Sequence, residues 1–431
     1  MQLARPCAAS RSVTAASLGC GTNSGAGPIS DIRTLTFSTL FPNDVEPSHG
    51  IFVESRLRRL IETGAVATRV IAPVPWFPFP DDRFGHYARY ARVAPQELRA
   101  GISVVHPRYL ALPGIGMDVA PGLLYLGARR SLRAVIRAGF DFDLIDAHYF
   151  YPDGVAAVLL GAEFGKPVVI TARGTDVNLI ADYPLPRRMI RWAARRSAAV
   201  ISVCQALKDR LVTIGVDGRR ISVLRNGVDL TTFRPRDRTV ARARYGLEQP
   251  MILSVGHLIR RKGHDIAIEA LARVDKAMLL VVGEGPEREA LGALAERLGV
   301  AARVRFLGLL PQRELPELYS AADLLVLAST REGWANVLLE AMACGTPVVA
   351  SNVWGTPEVV ASPVAGCLVD ERSGAAFAAA ITRLLLMPPD RTATRAYAEQ
   401  FGWEDTTAGQ LDIFRAIVRG ERAPATASGS R

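Results

Sequence analysis

From residue 33 onward, short and almost wholly apolar runs alternate with longer amphipathic stretches, which constrains the fold more than any other feature. The runs span 33–38, 68–72, 144–147, 168–171, 200–203 and 221–224, then 251–255, 278–282, 304–306, 324–327 and 347–351. Helical stretches intervene, among them 51–62, 122–138, 265–272, 287–298 and 337–344. A strand that is apolar on both faces must be covered on both, which predicts parallel sheets between layers of helices. The alternation pauses once, between Arg225 and Pro250, where Asn226-Gly227, Pro235 and a run of mixed charge occur. That pause predicts a boundary between two doubly wound α/β domains, 31–230 and 231–400. Ligands of such domains bind beyond the carboxyl ends of the strands, so two facing domains share one interdomain cleft. A last helix at 405–418 follows Pro388-Pro389, and the segment 401–420 is expected to pack back on the first domain. Residues 1–30, rich in Ala, Ser and Gly without periodicity, and 421–431 are expected to be disordered.

The 431 residues carry 52 basic and 42 acidic side chains, a net charge of +10, yet only four lysines. Charge of this sign and kind suits phosphate-bearing ligands, anionic membrane surfaces or nucleic acid. No zinc finger or aromatic-rich RNA-binding signature is present, so nucleic acid is not an expected partner. No run of about 18 apolar residues suggests a membrane span. The basic stretch 187–196 carries Trp192 and reads either as a helix resting on anionic lipid or as an ordinary amphipathic domain helix. Five cysteines without zinc spacing point to reduced thiols in a reducing compartment. The expected location is cytoplasmic, with peripheral contact to the inner face of the plasma membrane.

The densest chemistry lies in Ser329-Thr330-Arg331-Glu332-Gly333-Trp334-Ala335-Asn336-Val337-Leu338-Leu339-Glu340, after the apolar run 324–327. Gly333 sits in a turn that enters a short helix, which Gly345 and Pro347 end. Free backbone amides at such a turn form an anion site without any side chain. On a continuous helix Glu332 and Glu340 would stand about 80° apart, a poor shared face. If the helix starts near Asn336, Glu332 falls in the turn and both carboxylates can face the anion site. Otherwise Glu332 is a surface acid and Glu340 a partner of the helix dipole. Asp141-Phe142-Asp143 has metal-binding spacing but precedes a buried strand, so it reads as a strand cap, and no metal site is expected. Gly283-Glu284-Gly285 lacks the third glycine of a dinucleotide fingerprint, and no P-loop occurs, which leaves NAD and ATP chemistry unsupported.

The paired glutamates, with Gly345-Thr346-Pro347-Val348-Val349 behind them, resemble the signature of retaining glycosyltransferase family 4. Further pieces recur in order. Pro42-Asn43 with His49-Gly50-Ile51-Phe52-Val53 is similar to the family's first strand-to-helix loop, and Ile145-Asp146-Ala147-His148 to a strand ending in a pocket histidine. Arg225-Asn226-Gly227-Val228-Asp229 resembles the entry to its second domain. Ser254-Val255-Gly256-His257-Leu258 with Lys262-Gly263, and Val282-Gly283-Glu284-Gly285-Pro286, resemble its donor loops. The resemblance implies a GT-B fold, two facing Rossmann-like domains, and a nucleotide-diphosphate sugar as co-substrate with no cofactor and no metal. It implies that Glu340 accepts hydrogen bonds from ribose hydroxyls and that Glu332 holds sugar hydroxyls. Gly333, Trp334 and Ala335 would offer amides, with Asn336 and Val337 alongside. Lys262 would neutralise the diphosphate, Gly50 would let its loop approach it closely, and His148 would stand in the sugar pocket.

Two departures stand out. His257 occupies a position where the family usually has arginine, which leaves Arg260 or Arg261 to compensate. Arg173-Gly174-Thr175-Asp176 replaces a common His-Gly-Ser-Asp pattern. Arg173 either reaches an anionic acceptor or donor phosphate, or is a surface arginine at a strand end. The resemblance implies a retaining transferase acting on a glycan or lipid-linked acceptor in cell-envelope polysaccharide synthesis. The alternatives are another GT-B enzyme such as a nucleotide-sugar epimerase, or a catalytically silent nucleotide-sugar-binding protein, which His257 alone would favour.

Overall fold

The computed structural model describes residues 31–424, apart from 82, 84, 112–115 and 247. The disorder expected of 1–30 and the end of the tail, 425–431, lie outside these residues. Within the tail, Pro424 is held, its carbonyl accepting from Ser222 Oγ at 3.0 Å.

The first half contributes β1 (Ile32–Phe37), β2 (Val66–Ile71), β3 (Val74–Pro75), β4 (Gln96–Arg99), β5 (Ile102–Val105), β6 (Arg108–Tyr109), β7 (Leu144–His148), β8 (Val168–Ala172), β9 (Ala199–Ser202) and β10 (Ile221–Val223). Eight of them form one sheet in the order β10-β9-β8-β7-β1-β2-β5-β4, and β3 pairs with β6 apart from it. The second half contributes β11 (Met251–Val255), β12 (Met278–Val282), β13 (Val304–Gly308), β14 (Leu324–Leu327), β15 (Val348–Ser351) and β16 (Gly366–Val369), ordered β13-β12-β11-β14-β15-β16. All pairs are parallel except β4 with β5. The strands β7, β8, β9, β12, β14 and β15 are buried at every position, as near-continuous apolar runs require.

Each sheet reverses direction once, between β1 and β7 in the first and between β11 and β14 in the second. Such a reversal splays the following loops apart and opens a crevice at the strands' carboxyl ends. In the second domain this makes the loop after β11 and the turn after β14 neighbours. Leu253 stands in register with Leu325, so both strands deliver their loops at one height.

The helix Glu404–Val418 returns to the first domain. Its Leu411, Ile413 and Phe414 pack with Ile32, Leu60, Val66, Leu144 and Leu224. The helix Pro184–Arg196 buries Pro186, Ile190, Ala193 and Ala194 against the domain and exposes Arg188, Arg191, Arg195 and Arg196. Trp192 is only half-exposed, with the Arg196 guanidinium 4.8 Å from its ring. The apolar face of this helix is therefore an ordinary domain face, and the arginines form its outer stripe. Among the described residues no helix is long and apolar enough to cross a membrane.

Candidate active site

Lys262 ends a single 3-10 turn, Arg260–Lys262, in the loop after β11, and Glu332 lies in the turn after β14. Lys262 Nζ donates to Glu332 Oε1 at 2.6 Å, and Ser329 Oγ donates to the same oxygen at 2.6 Å. Arg261 Nη1 stands 3.9 Å from it. Burial alone would raise the Glu332 carboxyl. The Lys262 charge and hydrogen bond, the Ser329 hydroxyl and Arg261 outweigh that and hold it below the usual carboxylate range. Glu332 is thus an ionised acceptor clamped between two cations. His257 is exposed, and Arg260 points to Glu287 at 3.7 Å, so of the two arginines Arg261 is the one placed beside the pair.

The helix Asn336–Ala343 starts where the two-glutamate reading needs it to. No side chain caps its N-terminus, although the Asn336 amide already donates to the Trp334 carbonyl at 3.1 Å. Glu340 faces a different part of the cleft from Glu332. It lines a cavity of about 320 Å³ together with Asn336, Gln312, Thr232, Phe52 and Ser55, so the cavity is walled by both domains. Tyr319 donates its hydroxyl to Glu340 Oε2 at 3.0 Å. Burial still pushes the Glu340 carboxyl up to about 7, against the hydrogen bonds from Tyr319 and Gln312. Val337 is half-buried, Ala335 is buried, and the Trp334 ring packs on Phe401 at 6.1 Å, with Arg225 5.8 Å away.

In the first domain, His148 ends β7 and is 1% exposed. Both ring nitrogens already face protein groups. Nδ1 lies 2.6 Å from Arg173 Nη2, and Nε2 lies 3.1 Å from Asp146 Oδ2. A guanidinium only donates, so Nδ1 is the acceptor and the proton sits on Nε2. Burial lowers the His148 pKa, Asp146 opposes this, and Arg173 and Arg56 reinforce it, so the ring is neutral at pH 7. Behind it, Gln410 of the last helix donates to Asp146 Oδ2 at 3.0 Å and accepts from Arg56 Nε at 2.6 Å.

Arg173 is buried, so the surface reading of it does not hold. Its Nη1 donates to Asn226 Oδ1 at 3.0 Å, and Asn226 Nδ2 reaches Asn336 Oδ1 at 3.4 Å, across the domain boundary. A chain of polar contacts therefore runs from Asp146 through His148, Arg173 and Asn226 to the N-terminus of the Asn336–Ala343 helix. The domains are in close contact here: a Cβ on Gly333 would fall 2.0 Å from the Arg173 carbonyl oxygen. Gly50 has a local reason to be glycine. It holds φ +67° at the start of the Ile51–Glu62 helix, and a Cβ would lie 2.3 Å from the Leu40 carbonyl.

Sequence reasoning did not single out Asp146, Ser329, Tyr319, Gln312 or Gln410 as working residues. Asp146 carried a usable signal, a carboxylate inside an otherwise apolar strand two residues from His148. The others are brought in by tertiary contact alone.

Two doubly wound domains facing across a cleft define a fold that solved structures share. The fold matches sucrose-phosphate synthase from Thermosynechococcus elongatus, with a TM-score of 0.72 at 21% identity over 90% of this chain and 99% of that one. It also matches Anabaena HepE in complex with UDP-glucose, with a TM-score of 0.66 at 22% identity over 88% and 99%. These are GT-B folds. Residues 237–401 match the family model for glycosyl transferases group 1, and residues 118–232 that for glycosyltransferase family 4. The D-inositol 3-phosphate glycosyltransferase 1 of Catenulispora acidiphila is 32% identical over 90% of this chain and 97% of its own length. That of Segniliparus rotundus is 36% identical over 64% and 67%. The chain belongs to the group 1, family 4 glycosyltransferases and is a glycosyltransferase. The epimerase and silent-binder alternatives are not favoured.

Proposed function

We propose that this enzyme transfers a sugar, with retention of configuration, from a nucleoside-diphosphate sugar to a glycan or lipid-linked acceptor in cell-envelope synthesis. The observation that carries this reading is the Lys262–Glu332 contact of 2.6 Å at the uncapped helix Asn336–Ala343. Lysine has three N–H donors, so Lys262 can keep Glu332 and still meet a phosphate oxygen. Arg261 adds a second cation, so leaving-group charge is stabilised by side chains and helix amides, with no metal assigned a role. Glu332 and the amides of Gly333, Trp334 and Ala335 orient the sugar, and Glu340, with Asn336 and Val337 beside it, holds the ribose. The bond from C1 to the phosphate oxygen breaks as the acceptor oxygen bonds C1 on the same face. The acceptor proton passes to the departing phosphate, and the nucleoside diphosphate leaves. Relatives named for D-inositol 3-phosphate and neighbours solved with UDP or UDP-glucose support a nucleotide donor and a hydroxylated acceptor. We place the enzyme in the cytoplasm, with the outer arginines of the helix Pro184–Arg196 resting on anionic lipid.

The test is a thermal-shift screen against UDP-, GDP-, ADP- and TDP-sugars in EDTA, with calorimetry on hits. A ligand at 100 times its dissociation constant adds about 2.7 kcal/mol of stability, ample for detection. A selective shift with one donor is the expected result. No shift from folded protein, or a shift that requires added metal, contradicts the proposal.

A further inference from the structure

We propose that Arg173 is an anion receptor on the first domain's side of the cleft. It takes a carboxylate or phosphate carried by the transferred sugar or by the acceptor, and His148 holds it in place rather than meeting the substrate. This rests on the reading above, in which the second domain holds the donor.

Arginine is almost never buried unless paired, because an unpaired buried charge is costly. Arg173 is 8% exposed and makes no ion pair with a carboxylate among the described residues. Neither nearby carboxylate pairs with its guanidinium, whose polar contacts are His148 and Asn226. Asp146 Oδ2 meets His148 and Gln410, and Asp176 accepts the backbone amides of Phe150, Arg173 and Gly174. A second guanidinium, Arg56, lies fully buried in the same cluster and among the described residues donates only to Gln410 and the Leu224 carbonyl. Burial and Arg56 together pull the Arg173 pKa down to about 9, despite Asp146 and Asp176.

The donors fit the assignment. Of five N–H groups on a guanidinium, Arg173 gives one to His148 and one to Asn226, while its buried Nε has no partner. Nε and Nη2 share one edge of the plane, the fork that binds a carboxylate or phosphate side-on, and Nη2 has a second hydrogen to give. The guanidinium lies 5.4 Å from the ring of Phe52, which lines the cleft, and the Arg173 carbonyl abuts Gly333, next to Glu332. His148 is more deeply buried, its Nδ1 taken by Arg173 and its Nε2 turned toward Asp146, 3.1 Å away. The layering Asp146–His148–Arg173 therefore puts the arginine outermost, at a position where the family pattern has histidine.

Calorimetry with matched probes tests this. The donor arm compares UDP-glucose with UDP-glucuronate, or the matching pair of whichever base the screen selects. The acceptor arm compares myo-inositol with myo-inositol 3-phosphate, with the nucleoside diphosphate bound. The wild type should prefer the anionic member in one arm, which identifies the source of the anion. Arg173→His should cut that preference by roughly 10- to 100-fold, the range for hydrogen bonds to charged groups. Its affinity for the nucleoside diphosphate reports that the variant is folded. If that variant does not fold, Arg173→Lys, which keeps the charge and loses the fork, should lower the same preference. Absence of any anionic preference in the wild type, or a preference that survives the substitution, overturns the proposal. Failure to bind any nucleotide sugar would instead sink the donor reading first.

Discussion

Glu332 and Glu340 are both glutamates in one cleft, and their surroundings drive them in opposite directions. Glu332, clamped by Lys262 at 2.6 Å, stays ionised. Glu340, whose partners are neutral, is held up to about 7. A ribose hydroxyl donates best to an ionised carboxylate. Donor affinity should therefore rise as pH climbs from 6 to 8, which calorimetry in matched buffers reads directly. The stability sign is the reverse: the unfolded chain ionises at about 4.3, so Glu340 costs stability increasingly as pH rises toward 7 and holds that cost above it. Glu340→Gln should accordingly weaken donor binding by roughly 1.5–3 kcal/mol. Its melting temperature at pH 8 should equal or exceed the wild type's. A melting temperature that drops while affinity holds would assign Glu340 a structural role only. Lys262→Ala should lower kcat by about 10²–10³, the scale for losing one stabiliser of developing negative charge. It should also leave the buried Glu332 with Arg261, 3.9 Å away, as its remaining cation. Steady-state rates near wild type would remove Lys262 from the diphosphate site.

The turn after β14 is tight because it is pressed against the end of β8. Gly333→Ala would drive a methyl group to 2.0 Å from the Arg173 carbonyl. Overpacking of this kind costs about 1–3 kcal/mol, and the cleft can relieve it only by opening. Turnover should fall more than the melting temperature does; parallel losses would mean the domain itself is damaged. The elements that frame this junction were legible in the sequence because their strands are nearly all apolar, which a doubly covered parallel sheet requires. The helix Ile51–Glu62 falls where periodicity placed it. Other elements escaped. The β4–β5 hairpin sits at a sheet edge, and the Gln96–Arg99 strand is exposed at every second residue, so it looks polar. The strand Gly366–Val369 and the helix Gly374–Leu386 follow Pro363, in a stretch without a sharp change of pattern. The helix Gly116–Arg137 begins six residues before the expected start and carries Pro121 as its sixth residue, where the amide that proline lacks would have bonded the Met117 carbonyl; the Tyr151 hydroxyl donates to that carbonyl instead. In the site, Lys262 and Glu332 were legible as motif members, but their contact needs β11 and β14 side by side. The burial of Arg173 could not be read locally, since it depends on Asn226, His148 and Phe52, all distant in sequence.

At the scale of the molecule, polar contacts tie the two domains together. Arg225 pairs with Glu358 at 2.8 Å, Ala206 donates its amide to the same carboxylate at 3.1 Å, and Asn226 meets Asn336. Glu358→Gln should shift the unliganded protein toward a more open cleft. Small-angle scattering should then show a larger radius of gyration that donor binding reverses, with KM raised more than kcat is lowered. An unchanged radius would mean that apolar packing alone sets the closed arrangement. The last helix bears on the molecule in another way. Leu411, Ile413 and Phe414 cover Ile32, Val66, Leu144 and Leu224 of the first domain, yet they are made only after the whole second domain. On the ribosome, the first sheet is complete in sequence once Val223 has emerged, while the patch under the final helix stays wet until that helix arrives. Nascent chains halted before Glu404 therefore carry a bare apolar face, and they are the form in which this enzyme should aggregate.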